Sequence, residues 1–354
     1  MSRFRCLFMA AAGVVAAMAC RAAVAAPGTP APNWAVSKTI VLGQPDRWDY
    51  LTFDPDTNRL FVSHGDRVEV IDGREGTLIG SVTGMPGGTH GIAISRATGQ
   101  GFTDDGHAGE AVVFDLKTLK VAKRIKAQPD ADGIIFDPPS GHIFVIDGDS
   151  GKVTAIDPKS DTAIATIDGG GGLEFGVSGD NGKLYVNGAE KHEIVRIDTA
   201  TNKADAHWPM PQCESPHGLA IDRVHHRLFS TCANKVMVVM NAENGAVIAN
   251  LPIDAGSDAA AFDPVRGLAF SSNFSGTLSV VAEETPEKFV TLPAVHTTLG
   301  ARTLALDPKS GRIYLVAADI TVNPSAAATD RRHRYKVKPG SATLYFLDPA
   351  KPAP

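Results

Sequence analysis

The sequence is short of several features that mark familiar chemistries. It has no C-x-x-C pair, no serine in a strand-to-helix nucleophile elbow and no segment patterned as a long amphipathic helix. Without C-x-x-C there is no thiol redox motif and no C-x-x-C-H haem attachment. Without the elbow, covalent serine hydrolysis loses its usual signature. Charge of one sign is scarce as well: 34 Lys and Arg stand against 39 Asp and Glu, a net charge of −5, which argues against a general polyanion binder. One stretch, Arg331 to Lys338, is locally basic. It suits a carboxylate, a phosphate or an acidic partner, but Tyr335 is its single aromatic, so nucleic acid is not an expected partner. The glycine run Gly169 to Gly172 lacks the strand and helix of a phosphate loop and reads as a connection.

Long apolar runs are also missing. The run Leu7 to Cys20 spans about 14 residues against the roughly 20 needed to cross a bilayer. Arg3 and Arg5 precede it and Ala23-Val24-Ala25 follows, the pattern of an export signal cleaved after Ala25. Residues 1–25 are therefore expected to be a signal peptide and 26–35 a Pro-rich lead-in. The protein is expected to be periplasmic or secreted, with no membrane span. Of four cysteines, Cys6 and Cys20 leave with the signal, and only Cys213 and Cys232 reach an oxidising compartment. A structural disulfide between them is preferred over a metal-binding or reactive thiol pair, and would contribute roughly 3 kcal/mol.

What is present is a repeat. Turn anchors centred on Asp54, Ser95, Asp137, Gly179, Asp222, Asp263 and Asp307 recur at intervals of 41 to 44 residues. Each is followed by a β-rich run such as Leu60-Phe61-Val62, Ile143-Phe144-Val145 or Ile313-Tyr314-Leu315, and then by a strand that often ends in Asp, as at Val70-Ile71-Asp72. Four short strands per unit, seven units long, predict an all-β, seven-bladed β-propeller. The seventh unit runs out one strand short, and Val36 to Leu42 has no blade of its own. An N-terminal strand is therefore expected to complete the last blade and close the ring. The propeller is expected over 36–348 as a single domain, with 349–354 as a C-terminal tail.

The cadence of hydrophobic residue, Asp-Pro, Gly-Arg or Gly-Lys, then Leu/Ile-Tyr/Phe-Val, resembles the YVTN-repeat, YncE-like family of exported seven-bladed propellers. The stretches Trp208 to Cys213 and Cys232 to Val239, and Pro339-Gly340-Ser341 before the last strand, carry the likeness furthest. The resemblance covers 36–348 and implies an exported propeller whose members mostly lack an assigned reaction. It bears on architecture and leaves function open.

Candidate site residues follow from the geometry of such a ring. The innermost strand of each blade starts near the central channel, so the residue five before each anchor is expected at the channel mouth. Those residues are Asp49, His90, Asp132, Glu174, His217, Asp258 and Arg302, all ionisable. Blade four is the soft point, since taking Ser178 as its anchor would put Leu173 in the ring. Three readings compete. The first is a funnel that binds a small ligand or an exported protein partner without chemistry, the protein being a monomer. The second is an enzyme resembling metal-dependent lactone-cleaving and lyase propellers, with a divalent ion on Asp132, Glu174 and His217 and His90 moving a proton. The third is a scaffold whose ring merely stabilises the channel. Loops carrying His64, Asp104, Asp147, Asn187 and Asn273 are expected on the same face, and so is a blade-seven insertion, about Asp319 to Gly340. His225 and His226 are expected at the surface, away from the funnel.

Overall fold

The computed structural model describes residues 33–327 and 331–350. The expected signal peptide, most of the lead-in and the end of the tail lie outside these residues.

Blade one shows how the sequence builds each sheet. Its strands are Leu51–Asp54, Arg59–His64, Arg67–Asp72 and Leu78–Thr83, paired antiparallel in that order. In the second strand every residue after Arg59 is buried, because a neighbouring blade covers each face. Such a strand reads as a continuous apolar run and not as an alternating one. The fourth strand lies at the rim. Lys203–Pro209 in blade four alternates between exposed and half-buried along its whole length, the mark of a strand packed on one side.

Seven four-stranded sheets repeat this plan. The remaining innermost strands are Ile92–Ser95, Ala131–Asp137, Leu173–Ser178, Pro216–Asp222, Ser257–Asp263 and Leu304–Asp307. Each packs against the next, and that of blade seven packs against that of blade one. The ring is closed. In blade seven, Trp34–Val41 pairs with Thr343–Pro349, so chain segments from both ends share one sheet. The strand begins two residues before the expected start of the propeller, because Trp34 is buried and its indole donates to the Gly311 carbonyl. Pro349, expected in the tail, belongs to the partner strand.

The core lies between blades. One aromatic of the second strand recurs at the same register in every blade: Phe61, Phe102, Phe144, Tyr185, Phe229, Phe270 and Tyr314, none more than 1% exposed. Each fills the gap to a neighbouring sheet and contributes about 2–3 kcal/mol by its burial. At the lower face, the anchor carboxylates accept backbone N–H groups two or three residues on, as Asp54 does from Asp56 and Asp307 from Lys309. The residue four beyond each innermost-strand end has positive φ: Asn58, Gly99, Gly141, Gly182, His226, Gly267 and Gly311. Glycine suits this left-handed turn position, and blades one and five manage without it.

Candidate functional site

The seven ring residues sit in or just before the upper ends of the innermost strands, and hydrogen bonds from nearby polar side chains hold four of their backbones. Ser63 Oγ donates to the His90 carbonyl, Asn187 Nδ2 to that of His217, Ser272 Oγ to that of Arg302 and Thr303 Oγ1 to that of Asp49. Glycines following ring residues let neighbouring blades touch: a Cβ on Gly91 would lie 2.3 Å from the Ile134 nitrogen, and one on Gly218 would lie 2.6 Å from the Ala259 carbonyl carbon. Blade four follows the Gly179 register, with Leu173 in the core and Glu174 beside His217.

Charge pairs link the ring. Arg302 Nη1 donates to Asp258 at 2.6 Å, and Nη2 lies 3.7 Å from Asp49. His217 Nδ1 lies 3.5 Å from Glu174 and 3.8 Å from Asp258. His90 Nδ1 is 2.7 Å from Asp104, a fully buried carboxylate that also accepts the backbone N–H groups of His90 and Gly91. Burial works against a charge on His90, but the hydrogen bond and charge of Asp104 outweigh it and raise the imidazole to about 9. His217 is raised as well, first by its contact with Glu174. Among the acids, burial pushes Asp49 and Asp104 each up to about 6, against the pull of Arg302 and His90 respectively. Asp132 is raised well above the carboxylate range, by burial first and then by the charge of Asp49. The ring is thus a desolvated network in which cations and acids depend on one another.

Above one side of the ring opens a cavity of about 660 Å³. His217, Asp258 and Arg302 form its polar floor, and Trp48, Phe274 and Leu299 its apolar wall. The blade-seven insertion completes it. Ile320–Val322 and Tyr335–Val337 pair as a two-stranded ribbon, and Ile320, Tyr335 and Val337 face the cavity, Tyr335 meeting Phe274 edge to face at 4.9 Å. Asp46 fixes the far end of this insertion by accepting the backbone N–H groups of Gly340, Ser341 and Ala342. Two polar atoms at the cavity make no hydrogen bond: Trp48 Nε1 and His217 Nδ1, both shielded from solvent. Arg47, also in the lining, places Nη2 3.3 Å from His90 Nε2.

Several sequence expectations acquire specific roles. Cys213 and Cys232 are joined, next to the cavity-lining Ala233. Asp104 and Asn187 support ring residues, whereas Asp147 accepts from Thr154 Oγ1 and the Gln128 backbone N–H, and Asn273 donates to the Thr277 carbonyl of its own turn. Asp132, Glu174 and His217 do not converge as a ligand set: the group of three among the described residues whose ligand atoms lie within 4.8 Å of one another is elsewhere. Arg47, Trp48, Phe274 and Leu299 went unremarked in the sequence, although Arg47 and Trp48 directly precede Asp49.

Comparison with known proteins speaks to the fold. No family model matches the chain, and no curated protein matches its sequence. Among solved structures, a chain of Kuenenia stuttgartiensis hydrazine synthase is 16% identical with a TM-score of 0.68, covering 76% of this chain and 92% of its own. U3-55K is 10% identical with a TM-score of 0.73, over 90% of this chain and 100% of its own. A chain of the mitotic checkpoint complex is 13% identical with a TM-score of 0.73, over 96% and 99%. The likeness is one of fold alone. Identities this low carry no function across, and the propeller is a fold that commonly serves ligand or protein interaction.

Proposed function

We propose that the protein is an exported binding protein whose upper-face cavity takes a small amphipathic molecule with an apolar body and an anionic end. The observation that carries this reading is the pairing of an apolar wall with a buried indole N–H, that of Trp48, which has no acceptor. An indole N–H shielded from solvent without an acceptor costs about 1–3 kcal/mol, which a bound acceptor would recover. Trp48, Phe274, Leu299 and Tyr335 suit a flat or branched apolar body, and Trp48 Nε1, Arg47 and the raised imidazole of His217 suit a carboxylate. The disulfide fits an oxidising compartment, and among the described residues no helix is long and apolar enough to cross a membrane.

Native mass spectrometry and calorimetry against aromatic and medium-chain carboxylic acids test the reading. One equivalent should bind, and Trp48→Phe and Arg47→Met should each weaken binding about tenfold, the worth of one lost hydrogen bond. Failure of the wild type to bind any such acid, or affinity unchanged in both variants, overturns it.

A further inference from the structure

The lower face of blades five and six holds a cluster unlike its counterparts around the ring. In other blades the anchor carboxylate receives a donor from the residue three further on: Thr57 donates to Asp54, Ser140 to Asp137, Arg266 to Asp263 and Ser310 to Asp307. In blade five that residue is His225, whose Nδ1 lies 2.6 Å from Asp222 Oδ2. A second departure meets it from blade six. In five blades a residue at the end of the third strand donates its N–H to the carbonyl of the positive-φ turn residue, as Gly73, Leu116, Thr199 and Ala242 do. None of these carries an ionisable side chain. The equivalent residue of blade six is Glu283, and its Oε1 lies 2.8 Å from the same His225 Nδ1.

Two carboxylates therefore converge on one ring nitrogen, which carries at most one hydrogen. The Glu283 side chain is 3% exposed, and neither of its oxygens accepts a hydrogen bond. The neighbouring cation does not resolve this. Arg227 donates to the carbonyls of His225, His226 and Pro286 and approaches Glu287 at 3.5 Å, so it braces the two segments that carry the cluster. His225 is 45% exposed, which leaves the cluster open to solvent on one side.

We propose that Asp222, His225 and Glu283 form a binding site for a divalent transition ion that clips blade five to blade six. One imidazole nitrogen and two carboxylate oxygens, all within 4.8 Å of one another, are a donor set suited to Zn²⁺ or a similar ion, with water in the remaining position. Ligand atoms about 2.0–2.2 Å from a tetrahedral ion stand roughly 3.4 Å apart, so the two close contacts to His225 open by about 0.6–0.8 Å on binding. The exposed turn that carries His225 allows that movement. The site lies at the opposite end of the strands from the cavity and is independent of the ligand proposed there.

The test is titration of the full secreted chain, stripped with chelator, using Zn²⁺ as the probe, followed by calorimetry and thermal unfolding. One equivalent should bind. At about a hundredfold excess over the dissociation constant, the unfolding midpoint should rise by about 5 °C. Glu283→Gln and His225→Ala should each weaken binding at least tenfold and remove the shift. Neither is expected to prevent folding, since one keeps the side-chain shape and the other lies on an exposed turn. His226→Ala, which leaves the three ligands in place, should bind as the wild type does. Absence of binding by the wild type, or binding that survives both ligand variants, overturns the proposal. Binding lost only in His226→Ala does so too, and would mark an adventitious surface histidine.

Discussion

Replacing Arg302 by Met tests whether charge or shape holds the ring together. Arg302 donates to Asp258 and faces Asp49 at 3.7 Å. At an effective dielectric constant of about 20, a pair at that distance is worth about 4 kcal/mol before solvent competes. The guanidinium is 37% exposed, and screening brings the net loss at pH 8 to about 2–3 kcal/mol. The loss should depend on pH. Burial raises Asp49 to about 6 even with Arg302 pulling it down. A raised carboxyl lets the folded chain hold a proton that the unfolded chain releases. Its contribution is therefore complete below the ordinary value near 4 and is lost as the pH rises through 6. Without Arg302, Asp49 rises further and the folded state does worse above that window. At pH 5, where Asp49 already carries its proton, the variant should lose about 1 kcal/mol. Urea unfolding at pH 5 and pH 8, with unchanged denaturant slopes, measures both values. Equal losses at the two pH values, or a larger loss at pH 5, would refute the charge argument.

Three further outcomes follow from the fold. Gly218→Val should cost more than about 3 kcal/mol, because its Cβ would stand 2.6 Å from backbone atoms of Ala259 and Ala260; thermal unfolding within 1 °C of the wild type would contradict the close approach of blades five and six. Replacing Cys213 and Cys232 together by Ser should lower stability by about 3 kcal/mol, since the bridge joins positions 19 apart in sequence; unchanged midpoints with and without reductant would rule that out. His226→Gly should raise stability by about 0.5–1 kcal/mol, because His226 holds φ +57° where most blades place glycine. A destabilised variant would show that the imidazole makes a contact worth more than the backbone strain.

The fold was legible because each blade solves one packing problem in the same residues. The buried second strands appear as apolar runs with an aromatic at fixed register, and the Asp-containing turns mark where the chain reverses. The unpaired strand at the end of the count announced the closure later seen between Trp34–Val41 and Thr343–Pro349. The ring residues could be counted from the turns, since each stands five residues before its anchor even though the innermost strands run from four residues to seven. The cavity could not be counted in this way. Its wall joins Trp48 of blade one, Phe274 of blade six and Tyr335 of the insertion, and Asp46 holds that insertion from nearly three hundred residues away in sequence. No periodicity connects them. His225 likewise reads as a surface turn residue until Glu283 is placed against it.

Comparing the blades with one another separates structure from function. A position that every blade must fill in the same way answers to the fold: the buried aromatic, the anchor and the left-handed turn recur because each sheet needs them. The channel-mouth position is different in kind. Its strand geometry is common to all blades, yet it carries Asp, His, Asp, Glu, His, Asp and Arg in turn. Packing alone would favour one uniform solution there, and desolvation would favour uncharged residues, since a buried carboxylate such as Asp132 is driven towards its neutral form. A varied ionisable set at a desolvated position is costly, and it is offset only by the pairings that the variety permits. The same reasoning isolates Glu283, the ionisable residue at a position held elsewhere by Gly73, Leu116, Thr199 and Ala242. Departure from the internal repeat, more than residue type, is what directs attention to both ends of this propeller.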